Sequence, residues 1–296
     1  MSIIDDIRQS YKRGSSLNKL IYINIGVFLL IQIAHIILIL SNSAEQFENL
    51  LSILAVPASI PQLGLRPWTP VTYMFLHEGF LHILFNMLWL YWFGSIFIQE
   101  LGEKKLLGVY LLGGLSGAAM FILFYNIFPY FSASVANAVA LGASASVMSV
   151  VIAVSFYVPE RRLNLVFIGP VKIIYIALVS FILSSVVDFS VNSGGKIAHF
   201  GGALFGILFA LSYRNGKDIT RWFDRIMDSL VSLFRPGKRR MKVTYKRSAD
   251  DMEYNRQKKE EQKDIDEILD KISKGGYNSL SAAEKERLFR MGNKKP

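Results

Sequence analysis

This chain of 296 residues has no cysteine, only four histidines, and almost no acid within its apolar stretches. The first absence removes disulfides, thiolate nucleophiles and sulfur-ligated metal sites together. The scarcity of acids excludes an aspartyl protease working inside a membrane, which needs two carboxylates in its spans. Asp188 alone qualifies. A zinc-protease pattern is missing too: His77 and Glu78 are followed by His82. Five residues turn an α-helix by about 500°, leaving those imidazoles roughly 140° apart, unsuited to one metal. No metal or other cofactor is expected.

What is abundant is apolar. Hydrophobic residues make up 52% of the chain, and mean hydropathy is +0.33, more than one soluble core of this size uses. They come in near-continuous runs at 20–40, 80–98, 105–128, 137–158, 171–189 and 197–213. Most approach the ~20 residues that cross a bilayer core. The expected fold is all-α, a polytopic membrane bundle of six transmembrane helices with a cytoplasmic helical tail. Four segments follow: an N-terminal cytoplasmic segment (1–19), the six-helix core (20–213), an interfacial helix with a basic linker (214–247), and a small helical tail (248–296).

Lys and Arg collect in cytoplasmic loops beside membrane helices. Of the eleven in residues 1–213, nine fall before the first span, between the second and third, or between the fourth and fifth; Arg66 and Lys196 fall on the other side. Both termini are therefore expected in the cytoplasm, with a bacterial inner (plasma) membrane as the location. Residues 214–296 carry 22 Lys and Arg against 14 Asp and Glu, so most of the net +10 belongs to the tail. Topology and anionic lipid account for that charge, and nucleic acid is not expected as a partner.

Between these landmarks, Ile3, Ile4, Ile7 and Tyr11 have the spacing of a short interfacial helix. Residues 41–70 form a long external connection with four prolines, expected to lie partly immersed at headgroup level beside Trp68. Phe223, Ile226, Met227, Leu230, Val231 and Phe234 share one face of a surface helix. Ile265, Ile268, Leu269 and Ile272 keep a helical period until Gly275 and Gly276, and Ser281 with Glu284 has capping-box spacing, so a helical hairpin is expected there.

Polar side chains inside a bilayer are costly, and those present here converge. The second, fourth and sixth spans run inward from the external face, with His82, Ser144 and His199 each near the outer end of its span. Ala136, Ala140 and Ser144 repeat every fourth residue, as do Ala198, Gly202 and Gly206. Such small residues let helix backbones approach, bringing His199 to Ser144. A serine hydroxyl needs an imidazole to take its proton, so Ser144 is the candidate nucleophile and His199 the candidate base. With no acid nearby, a dyad fits better than a triad. His82 and Asn86, one helical turn apart, are the candidate oxyanion donors, helped by the Ser144 N–H. Ser146 and Ser149 read as packing groups and His35 as structural, while for His77 a structural role at the boundary of the second helix stands at least level with a chemical one.

These residues resemble the motifs of rhomboid proteases. Gly142-Ala143-Ser144-Ala145 looks like the family's nucleophile motif, Ala198-His199-Phe200-Gly201-Gly202 like its base motif, and His77, His82 and Asn86 have its second-helix spacing, approached through Arg66 and Trp68. The resemblance spans residues 20–213. It implies cleavage of unstable transmembrane segments near the external face, with the fifth helix and first loop controlling lateral access. Partners would be transmembrane protein substrates and membrane lipids; oligomeric state is not legible. Two positions depart from the pattern: Ala145 where many members have glycine, and Met148 where some place an aromatic against the catalytic histidine. The competing readings are a catalytically inactive rhomboid-like protein that escorts client helices, and, further off, a transporter, for which paired intramembrane charges and an internal repeat are missing.

Overall fold

The computed structural model describes residues 14–165, 168–187, 189–190, 192–234 and 249–292. The interfacial helix expected in 1–13, the basic linker 235–247 and Asp188 lie outside them. In chain order the helices are α1 (Ser16–Leu40), α2 (Glu45–Leu54), α3 (Ile60–Leu65), α4 (Thr69–Thr72), α5 (Phe80–Leu101), α6 (Glu103–Ile127), α7 (Ser144–Tyr157), α8 (Ile173–Ser185), α9 (Ser193–Arg214), α10 (Arg221–Phe234), α11 (Ala249–Gly275) and α12 (Ala282–Gly292). Strands β1 (Val56–Pro57) and β2 (Val139–Ala140) pair antiparallel, as do β3 (Arg162–Leu165) and β4 (Gly169–Lys172).

The architecture is all-α because a backbone in hydrocarbon must pair its own polar groups. Among the described residues four helices, α1, α5, α6 and α9, are long and apolar enough to cross a membrane. The expected runs at 137–158 and 171–189 are cut to helices of 14 and 13 residues. At ~1.5 Å per residue α7 rises only ~21 Å, against ~30 Å of hydrocarbon. The cause is local. Val139 and Ala140 pair with Pro57 and Val56, and Gly142 at φ +134° precedes the helix start. Residues 169–172 are likewise taken up by the β3–β4 hairpin.

Helix α7 is the buried centre, with eleven of its 14 residues buried, packed between α6 and α9. A Cβ on Gly202 of α9 would lie 2.1 Å from the Ala145 carbonyl oxygen, so only glycine permits this approach. The small-residue crossing exists but with corrected partners. Gly202 and Gly206 meet Ala145 and Ser149, because positions 136 and 140 precede the helix. Ser149 does bind a neighbour, donating to the Val109 carbonyl (3.3 Å), whereas the buried Ser146 hydroxyl makes no hydrogen bond.

Helix α1 is held at the edge by four buried residues, among them Asn24. The Asn24 amide meets the Tyr110 hydroxyl (3.2 Å), which donates to the Met74 carbonyl (3.2 Å). The connection 41–70 is not an open loop: it contains α2, β1 and α3. The last carbonyls of a helix have no partner within it. Those of α2 are taken by side chains: Arg66 Nη1 donates to Ser52 (2.7 Å), Trp68 Nε1 to Ile53 (2.9 Å) and Thr72 Oγ1 to Leu54 (2.6 Å). His35 stacks on Phe47 of α2 at 3.9 Å, a packing contact.

Helix α10 is tied to the start of α6. Lys105 pairs with both Asp218 and Asp224, and Lys104 with Asp228 at 3.1 Å. Phe223 and Met227 are half-buried, while Trp222, Ile226 and Leu230 are exposed. The helix falls within the compact unit that ends at Phe234. The second unit, from Arg235, is built on α11 and α12. Ile268 and Leu280 are buried within it, and the Ser281 N–H donates to the Glu284 carboxylate (2.8 Å) in the expected capping box.

Candidate active site

One cavity of 540 Å³ opens among α5, α7, α8 and α9, within the range that accommodates small ligands or a few residues of extended chain. His82, Asn86, Ser144 and His199 all line it. His82 and Asn86 stand one turn apart near the start of α5, Ser144 is the first residue of α7, and His199 lies in the second turn of α9. Ser144 sits there because the preceding chain is held as β2 and then bends at Gly142.

Gly142 also defines the space in front of the serine. A Cβ built on it would be 3.3 Å from His82 Nε2 and 3.4 Å from Ser144 Oγ. One atom position therefore touches both the imidazole edge and the hydroxyl, and glycine leaves it open. An oxygen placed there could accept from His82. As the first helical residue, Ser144 also presents an N–H with no intrahelical acceptor, at the positive end of α7. Asn86 Nδ2 donates to the His82 carbonyl (2.8 Å) and keeps its second hydrogen for another acceptor. Behind His82, the buried ring of His77 stands edge-on at 5.2 Å with neither nitrogen hydrogen-bonded. His77 supports its neighbour and does not line the cavity.

The other side of His199 was not legible in the sequence. Its Nδ1 lies 3.2 Å from the Ser184 carbonyl oxygen and 3.3 Å from the Ser185 hydroxyl. A carbonyl only accepts, so Nδ1 carries the proton and Nε2 keeps a lone pair directed elsewhere. A hydroxyl, an imidazole with a basic nitrogen and several N–H donors, with no carboxylate among the described residues of the lining, suit acyl transfer at a carbonyl.

The Rhomboid domain family model matches residues 65–215, half of the chain and all of the cavity lining. The chain belongs to the rhomboid family. Among its relatives are presenilin-associated rhomboid-like protein A, mitochondrial, of Danio rerio, 30% identical over 55% of this chain and 43% of that one. Rhomboid protease AarA of Providencia stuartii is 27% identical over 53% and 60%, and rhomboid protease GlpG of Pectobacterium atrosepticum 33% identical over 35% and 33%. This chain spans about half the length of the curated relatives it matches. Residues 250–294 match a family of unknown function, DUF6576, which coincides with the α11–α12 unit.

As a rhomboid, the chain is a membrane protein. Its relatives are named from mitochondria as well as from bacteria, so the likeness does not single out the bacterial plasma membrane expected from the sequence. The family departure at Ala145 has a local compensation. Its methyl would lie 2.6 Å from a Cβ on Gly117 of α6, and glycine there makes room for it. Met148 lines the cavity.

Proposed function

We propose that this rhomboid is an intramembrane serine endopeptidase that hydrolyses peptide bonds in or near the transmembrane segments of membrane proteins. The observation that carries the reading is the convergence of Ser144, His199, His82 and Asn86 on one cavity among apolar helices.

In this mechanism Ser144 Oγ attacks the substrate carbonyl carbon while His199 Nε2 takes its proton. The resulting oxyanion accepts hydrogen bonds from His82, Asn86 and the Ser144 N–H, which need no rearrangement as charge develops. Collapse breaks the C–N bond, and the imidazolium returns its proton to the departing amine. A water deprotonated by His199 then attacks the acyl-serine ester and releases the second product. The topology we propose has six spans, with short α7 and α8 enclosed by longer neighbours. Both termini lie on the Lys- and Arg-rich cytoplasmic side, residues 20–213 form the protease core, 214–247 an interfacial helix and linker, and 248–296 a cytoplasmic tail.

The test is cleavage of a model transmembrane substrate by purified protein in detergent, comparing wild type with Ser144→Ala and His199→Ala at matched folding. Loss in both variants supports the dyad; cleavage surviving Ser144→Ala refutes it. A wild type that binds several substrates and cuts none would favour the escort role.

A further inference from the structure

The Nδ1 side of His199 ends on the last turn of α8. In a triad a carboxylate occupies that position, holding the imidazole in one tautomer and stabilising it once protonated. Among the described residues no acid lines the cavity, and Nδ1 has two oxygen neighbours, the Ser184 carbonyl at 3.2 Å and the Ser185 hydroxyl at 3.3 Å.

The Ser184 carbonyl is one of the four at the C-terminus of α8 that lack an intrahelical partner, and that end of a helix carries partial negative charge. The hydroxyls form a chain with a single consistent direction. Ser184 Oγ donates to the Phe181 carbonyl (3.4 Å), so it accepts from Ser185 Oγ (3.3 Å), which in turn accepts from His199 Nδ1–H. Ser185 is completely buried, although most of the surrounding α8 surface is open. Burial of a hydroxyl is costly unless it is hydrogen-bonded, and this one is spent on the imidazole.

We propose that the last turn of α8, through the Ser185 hydroxyl and the Ser184 carbonyl, is the orienting partner of His199, doing with neutral dipoles what a triad does with a carboxylate. The inference rests on the dyad proposed above and adds positioning groups to it. It also couples the base to the least anchored of the apolar helices around the cavity. Only Ile173, Ala177 and Ser185 of α8 are buried, while Tyr175, Leu178, Val179, Ile182 and Leu183 are exposed. Ser180, Leu183 and Ser184 line the same cavity as Ser144, so a substrate segment seated there bears on the turn that holds the base.

The experiment separates this inference from the reading beneath it. Labelling of Ser144 by a fluorophosphonate, present in wild type and absent in Ser144→Ala and His199→Ala, tests the dyad alone. With that established, Ser185→Ala is compared with wild type for kcat, KM and the ¹⁵N signals of His199 in selectively labelled protein. The expected result is a fall in kcat of about tenfold with little change in KM, and a His199 spectrum that shifts from one tautomer, protonated at Nδ1, to a mixture. A kcat and tautomer signal unchanged in Ser185→Ala would overturn the proposal and leave the dyad standing. A wild-type His199 protonated at Nε2 would overturn it as well, and that readout is independent of how well the variant folds.

Discussion

Replacing Gly142 by alanine adds one methyl group at the position where His82 and Ser144 face each other. Two costs can be separated. Gly142 has φ +134°, where a residue with a Cβ is strained by about 1–3 kcal/mol. The methyl would also stand 3.1 Å from His82 Cε1, 3.3 Å from its Nε2 and 3.4 Å from Ser144 Oγ, so the imidazole has to withdraw by a few tenths of an ångström. It would occupy the space proposed for the oxyanion. Loss of a single oxyanion donor costs on the order of 10²–10³ in kcat. We therefore expect Gly142→Ala to lower kcat at least about 100-fold while KM changes by less than about threefold. Gly102→Ala is the control, because Gly102 also has positive φ (+86°) but nothing within 4 Å of its Cβ position. It should lose stability and keep its kcat. Initial rates on a transmembrane substrate, with thermal unfolding followed by circular dichroism, supply both quantities. Gly142→Ala with a kcat within about threefold of wild type, or equal kcat loss in Gly102→Ala, would refute the assignment of that space to the oxyanion.

Thr72→Val and Arg66→Ala each strip a carbonyl at the end of α2 of its donor and should cost about 1–3 kcal/mol, read as a lower unfolding temperature, with kcat less affected. Lys105→Met leaves Asp218 and Asp224 facing each other, both mostly buried, and should weaken docking of α10 by about 2–4 kcal/mol, seen as faster proteolysis of the turn after Arg214. Burial raises the Asp218 carboxyl, but hydrogen bonds from Lys105 and Thr220 and the charge of Lys105 outweigh it and hold the group below its ordinary value. Its contribution to docking should be complete above the unfolded-state value of about 4 and be lost only as pH falls through the lower folded one, which Trp222 fluorescence can follow. Deleting 235–296, a compact unit of its own, should leave proteolysis detectable; complete loss in a well-folded truncation would show that the tail takes part in catalysis.

Hydropathy and charge were sufficient for the membrane class, because the bilayer imposes a length and a composition on any helix that crosses it. Four of the residues lining the cavity were also legible, since a polar side chain in an apolar run needs a reason to be there and His82, Asn86, Ser144 and His199 stood out against that background. The capping box at Ser281 was readable because it is satisfied within four residues. Tertiary structure decided what depends on partners distant in the chain. Hydropathy sees Val139 and Ala140 as part of a helix, and only pairing with Val56 and Pro57 makes them a strand that sets the start of α7 at Ser144. Asn24 and Tyr110 meet across 86 positions of sequence, and their hydrogen bond has no local signature. Ser184 and Ser185 look like any serines in an apolar helix. Their link to His199 exists only because α8 ends beside α9, where a helix terminus has a carbonyl to offer and a half-buried imidazole has a proton to place.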